Sequence, residues 1–131
     1  MRCAIVLMTH PGIGQALLQT VHQLLGSRLP LPVEAFELGW HDTPDDLLAT
    51  ALQRVAHLDQ GAGVLVMTDL YGASPSNLAA RVTAQLPRTR RVAGANLAML
   101  LRVLNYPDLA LDAMTLSAAD AARNGVLVDN A

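Results

Sequence analysis

The chain has 131 residues, 52% of them hydrophobic but only 3% aromatic, so its core has to be built from Leu, Ala, Val and Ile. That length fits one domain, residues 1–131, and a net charge of −2 gives no electrostatic case for nucleic acid or an anionic membrane. All nine basic residues are arginine, which excludes a Walker-type phosphate loop and any Schiff-base chemistry, since both need lysine.

Apolar strand-like runs alternate with longer helical patterns. The first strand covers about Cys3 to Met8, and its cysteine, the only one in the chain, reads as a small buried hydrophobe. Thr9, His10 and the turn Pro11-Gly12 lead into a helix over Gly14 to Leu25, where Leu17, Leu18, Val21, Leu24 and Leu25 recur at helical spacing. Val33 to Leu38 alternates as a half-buried strand. Thr43-Pro44-Asp45-Asp46 then starts a helix that runs to Leu58, with Thr43 as N-cap, proline at the first helical position and acids in the first turn.

Gly61-Ala62-Gly63 delivers the chain into Val64 to Met67, continuously apolar as a central parallel strand covered on both faces should be. Ser74-Pro75 opens a helix to about Leu86, with Ser74 as its expected N-cap. Arg91 to Gly94 is a short fourth strand, and Leu97 to Leu104 a short helix. A last helix from about Leu116 to Arg123 stops at Asn124-Gly125, and Val126-Leu127-Val128 is a terminal strand stub. This is the pattern of a doubly wound α/β sheet in order 2-1-3-4-5. The N-terminus lacks the features of a signal peptide and no apolar stretch reaches the ~18 residues of a membrane span, so a cytoplasmic protein is expected.

In such a sheet, ligands bind beyond the carboxyl ends of the strands, where the order reverses. There the first strand delivers Thr9 and His10, and its neighbour, the third, delivers Thr68 and Asp69 followed by Tyr71, Gly72, Ala73 and Ser74. A carboxylate that accepts a hydrogen bond from one imidazole nitrogen fixes the tautomer and presents the other as a nucleophile. A helix N-terminus at Ser74 favours an anion such as phosphate. Nucleophile, orienting acid and anion site together fit phosphoryl transfer, with His10 and Asp69 as the catalytic pair.

Three segments carry a family resemblance: Met8-Thr9-His10; Thr68-Asp69-Leu70-Tyr71-Gly72-Ala73-Ser74-Pro75-Ser76-Asn77; and Gly94-Ala95-Asn96-Leu97-Ala98-Met99-Leu100. In order and across nearly the whole chain, they resemble the mannose-family enzyme IIA (EIIA) domain of the bacterial phosphoenolpyruvate:sugar phosphotransferase system. The resemblance implies a flavodoxin-like domain and a homodimer, with the last strand exchanged antiparallel into the partner's sheet. It also implies that His10 accepts a phosphoryl group from the carrier HPr and yields it to a IIB protein, with membrane contact only indirect, through IIC and IID. Asp69 would orient His10, and Thr9, Gly72 and Ser74 would line the phosphate site, with no metal and no cofactor. No IIB sequence follows, so a separate acceptor is expected. Ala73 stands where a second glycine is common, Ala98 where proline is common, and Pro11 directly follows the histidine. Two related roles need the same site: a regulatory protein switched by phosphorylation of His10, and the subunit that serves dihydroxyacetone kinase.

Several other features read as structural. His22, His41 and His57 lack metal-ligand spacing and are expected in solvent. Gly12-Ile13-Gly14 with Glu37 imitates a dinucleotide fingerprint but lacks the third glycine. Arg88, Arg90 and Arg91 precede the fourth strand and are expected as a solvated rim opposite the crevice. Trp40 and Tyr71 fall on loops at the active edge, and of the two Tyr71 is the better candidate for touching a partner.

Overall fold

The computed structural model describes residues Met1–Asn130 and runs β1 (Ala4–Thr9), α1 (Ile13–Leu25), β2 (Val33–Glu37), α2 (Pro44–Leu58), β3 (Val64–Thr68), α3 (Ser74–Gln85), β4 (Thr89–Ala93), α4 (Leu97–Asn105) and α5 (Leu111–Asn124). The four strands form one parallel sheet in the order β2-β1-β3-β4. Helices cover both faces, so β1 and β3 are buried along their full length.

Side-chain alternation divides the core in two. Cys3, Ile5, Leu7, Leu65 and Met67 face α1, α4 and α5, where they meet Val21, Met99, Leu100, Val103 and Met114. Ala4, Val6, Met8, Val64 and Val66 face α2 and α3, against Ala51, Val55, Leu78, Ala79 and Val82. The register pairs Ile5 with Leu65 and Met8 with Thr68, so the ends of β1 and β3 lie side by side. A slip of one residue would turn every apolar side chain to the wrong layer, so burial on both faces fixes this register.

The doubly wound fold and the order 2-1-3-4 agree with the sequence reading, and most boundaries fall within a residue or two of it. The fifth strand does not form within the chain: Val126, Leu127 and Val128 follow α5 without strand pairing and are 70%, 85% and 72% exposed. Three residues gain strand geometry only against a neighbour's backbone groups, and among the described residues no strand pairs with them. The last helix begins at Leu111 rather than Leu116, because Leu111 and Met114 already belong to the buried stripe and Leu116 faces solvent. β4 begins at Thr89, which is buried and pairs with Val64, so it includes Arg90 and Arg91. Cys3 is buried, its Sγ 3.4 Å from the Ala62 carbonyl, and burial, with the Asp59 charge nearby, pushes its thiol pKa up.

Candidate functional site

β1 and β3 end together, and the next residue on each is His10 and Asp69. The imidazole Nδ1 is 2.7 Å from Asp69 Oδ2, and the His10 backbone N–H donates to the same oxygen at 3.0 Å. Asp69 Oδ1 accepts the Leu70 N–H at 3.1 Å. An ionised carboxylate only accepts, so against a neutral ring this contact selects the tautomer with the proton on Nδ1 and the lone pair on Nε2. The Asp69 side chain is 9% exposed and that of His10 25%, so the acid is sheltered while the imidazole still reaches solvent. A ring held in this way and open to solvent is chemically able to act as a nucleophile.

Each neighbouring loop has a traceable local cause. Gly12 adopts φ +87°, which lets the chain turn sharply from His10 into α1. Thr9 is fully buried, and its hydroxyl accepts the Gly14 N–H at 2.8 Å and donates to the His10 carbonyl at 2.8 Å. Expected at the phosphate site, Thr9 instead spends its side chain on holding the turn. Gly14 fits closely there, because a Cβ would lie 3.0 Å from Thr9 Oγ1 and 3.3 Å from the Leu7 carbonyl and its neighbours would have to give by a few tenths of an ångström. Glu37, at the end of β2, closes the α1 N-terminus: its carboxylate accepts the N–H groups of Gly12 at 3.0 Å and Gln15 at 2.8 Å. The sequence spacing drew Glu37 towards a ribose contact, whereas its partner is the helix itself.

The α3 N-terminus differs. Ala73, not Ser74, is its N-cap, and no side chain among the described residues caps it. Ser74 is the first helical residue and is exposed, and Pro75 at the second position has no N–H to satisfy. Gly72, at φ +89°, turns the loop into the helix, and its carbonyl accepts from Asn77 Nδ2 at 3.2 Å. Thr43 caps α2 and Asn96 caps α4, so of the helices starting at this edge only α3 begins on an open first turn.

One aromatic ring lies against the imidazole. The Trp40 ring stacks on that of His10, with centroids 5.4 Å apart and planes inclined by 26°. Sequence reasoning favoured Tyr71 over Trp40, since nothing local ties a residue thirty positions away to the histidine. Tyr71 is exposed and lies under the Arg91 guanidinium, 5.0 Å from its ring centroid. Arg91 also donates to the Ser76 carbonyl at 3.1 Å, which removes it from the expected rim at the opposite end. Arg88 and Arg90 do lie there, paired with Asp59 and Asp112 beside a hollow of about 710 Å³. His41 and His57 are exposed, but His22 is half-buried, its Nδ1 3.1 Å from the Gly26 carbonyl at the end of α1. Among the described residues no group of three or more His, Cys, Asp or Glu could hold a metal ion, and no helix is long and apolar enough to cross a membrane.

Comparison with known proteins speaks to the family and the fold. Residues 4–118 match the EIIA-man family model, described as the phosphotransferase system (PTS) fructose IIA component. The chain is 32% identical over 133 residues to the PTS system mannose-specific EIIAB component of Escherichia coli K12, covering 96% of this chain and 39% of that protein. It therefore spans about two-fifths of the length of that relative. Among solved structures, the mannose/sorbose specific IIA subunit from Enterococcus faecalis superposes with a TM-score of 0.86 at 21% identity, covering 100% of this chain and 97% of that one. The EIIA component from Streptococcus agalactiae gives 0.83 at 17% identity, covering 96% of each. At such identities the two structures speak for the fold, and the match over residues 4–118 speaks for the family. With its three motifs gathered at one sheet edge and that match spanning most of its length, the chain belongs to the EIIA-man family of phosphotransferase-system IIA components.

Proposed function

We propose that the chain is a phosphohistidine carrier of the phosphotransferase system, in which His10 takes a phosphoryl group from HPr and passes it to a IIB component. The observation that carries this reading is the 2.7 Å contact between His10 Nδ1 and Asp69, which leaves Nε2 as the free nucleophile of a partly exposed ring. Nε2 attacks the donor's phosphorus, the donor's P–N bond breaks, and its electron pair returns to the donor imidazole. The Nδ1 proton stays on His10, where Asp69 balances the ring's positive charge. The open first turn of α3, with Gly72 and Ser74, supplies N–H groups and a hydroxyl to the phosphoryl oxygens. Thr9 acts one step back, by fixing the turn that presents His10. A second copy of the chain is the proposed cover for the exposed Val126-Leu127-Val128 segment, making the carrier a homodimer.

The test is incubation with phosphoenolpyruvate, enzyme I and HPr. One phosphate per chain is expected, labile in acid and stable in alkali as a phosphoramidate is, and absent from His10→Ala. Undiminished labelling of that variant, or no labelling of the parent by a competent HPr, overturns the reading.

A further inference from the structure

Trp40 is the chain's only tryptophan, and 74% of its surface is exposed, so the hydrophobic effect does not account for where its ring lies. Its turn is firmly tied down. The buried Leu38 donates its N–H to the Thr9 carbonyl at 3.0 Å, which fastens the start of the turn to the residue before His10. Gly39 donates its N–H to the Asp42 carboxylate at 2.7 Å and accepts the Asp42 N–H at 3.0 Å. From that base the indole lies across one face of the imidazole whose edge Asp69 holds. The ring of His10 is therefore fixed by two independent contacts, one polar and one aromatic.

We propose that Trp40 is a positioning residue for phosphoryl transfer, acting through the His10 ring. The proposal rests on His10 being the phosphoryl acceptor. When the Nε2 lone pair forms the new N–P bond, the ring keeps its Nδ1 proton and becomes cationic, while the broken P–N bond leaves its electrons with the departing amine. The face of an indole attracts a positively charged ring more strongly than a neutral one, so the stack tightens as the bond forms. Asp69 balances that charge at the edge and Trp40 at the face. A residue that served only to grip a protein partner would act on donor binding and leave the chemical step alone.

A small donor separates the two. Potassium phosphoramidate has no protein surface to dock; its P–N bond breaks and ammonia leaves. With this donor at saturation, Trp40→Ala should load His10 about three- to tenfold more slowly than the parent. Trp40→Phe should remain within about twofold, and the His10 ring-proton resonances should move downfield in Trp40→Ala as the indole ring current is lost. Loading of Trp40→Ala at the parent rate from phosphoramidate overturns the proposal, and a raised KM for phospho-HPr alone would then mark Trp40 as a docking contact. A parent that phosphoramidate loads on His10 but phospho-HPr does not would sink the carrier reading while this arm still decides the role of Trp40. A parent loaded by neither donor overturns both.

Discussion

Asp59 and Asp69 flank β3 at its two ends, and each carboxylate gathers N–H groups from the surrounding chain. Asp59 accepts from Gly61 at 2.8 Å and Gly63 at 2.9 Å and pairs with Arg88 at 3.0 Å. Burial alone would raise the Asp59 carboxyl, but those N–H groups and the guanidinium outweigh it and hold the pKa below its ordinary value. Asp69 accepts from the backbone of His10 and Leu70, and its third donor is the imidazole. The difference lies in that last partner. A guanidinium never gives up its proton and closes the bonding at one end, whereas an imidazole has a second nitrogen and passes its orientation on to it. Similar backbone chemistry thus makes a clamp at one end of the strand and a site at the other.

Asparagine at each position would break the comparison in opposite ways. Asp69→Asn should slow phosphoryl loading at least about 100-fold, because the amide is able to turn a donor towards Nδ1 and favour the wrong tautomer. Its melting temperature should stay within a few degrees of the parent. Loading at the parent rate would remove Asp69 from the site. The clamp end should show the reverse profile. Gly63→Ala forces a Cβ onto a backbone at φ +103° and to within 2.7 Å of the Arg88 carbonyl, at an estimated cost of about 2–3 kcal/mol. Thermal denaturation should fall by about 10 °C while the loading of the folded fraction is unchanged.

Asp59→Asn should cost about 1 kcal/mol at neutral pH, with loading again intact. Because the native carboxyl titrates below its ordinary value of 3.8, its contribution is complete above that pH and is lost as the pH falls through the native value. Urea melts should therefore separate parent from variant at pH 7 and bring them together in strong acid. A gap that widened on acidification would contradict the clamp. The smallest effect is expected at Arg91→Met, which removes the cation over Tyr71 and the bond to Ser76. About 0.5–1 kcal/mol of stability should go, with loading reduced no more than about threefold. A larger loss of loading would move Arg91 into the site proper.

The sequence made β1, β3 and the pair His10 and Asp69 legible, because continuous apolar runs ending in polar residues carry the parallel-sheet geometry with them. Terminal signals were less informative where several donors competed. Ser74 resembles an N-cap by residue type, but the chain turns at Gly72 and helical geometry starts with Ser74 itself. Arg91 resembles its neighbours Arg88 and Arg90, yet the pleat of β4 turns it to the opposite face from Arg90, where it reaches the Ser76 carbonyl of α3. The contacts of Glu37 and Trp40 were hidden because both bridge from β2 and its following turn to β1 and α1, and no spacing rule reaches across a sheet. The start of α5 was obscured by small residues, since alanine contrasts weakly with its surroundings in an apolar pattern.

His10 and Asp69 are 59 positions apart in the chain and meet only through the pairing of β1 with β3. The segment from β1 to the turn after β2 carries His10 and the Trp40 stack, but the orienting carboxylate arrives only with β3. Opening that parts the two central strands takes the orienting acid away from the ring, while the Trp40 turn stays tied to β1. With His10 as the proposed phosphoryl acceptor, competence to take the group is coupled to the most deeply buried pairing of the domain. On that proposal, the fraction of chains labelled in a brief exposure to donor should track the chains in which that pairing has closed, a chemical measure of folding without a spectroscopic probe.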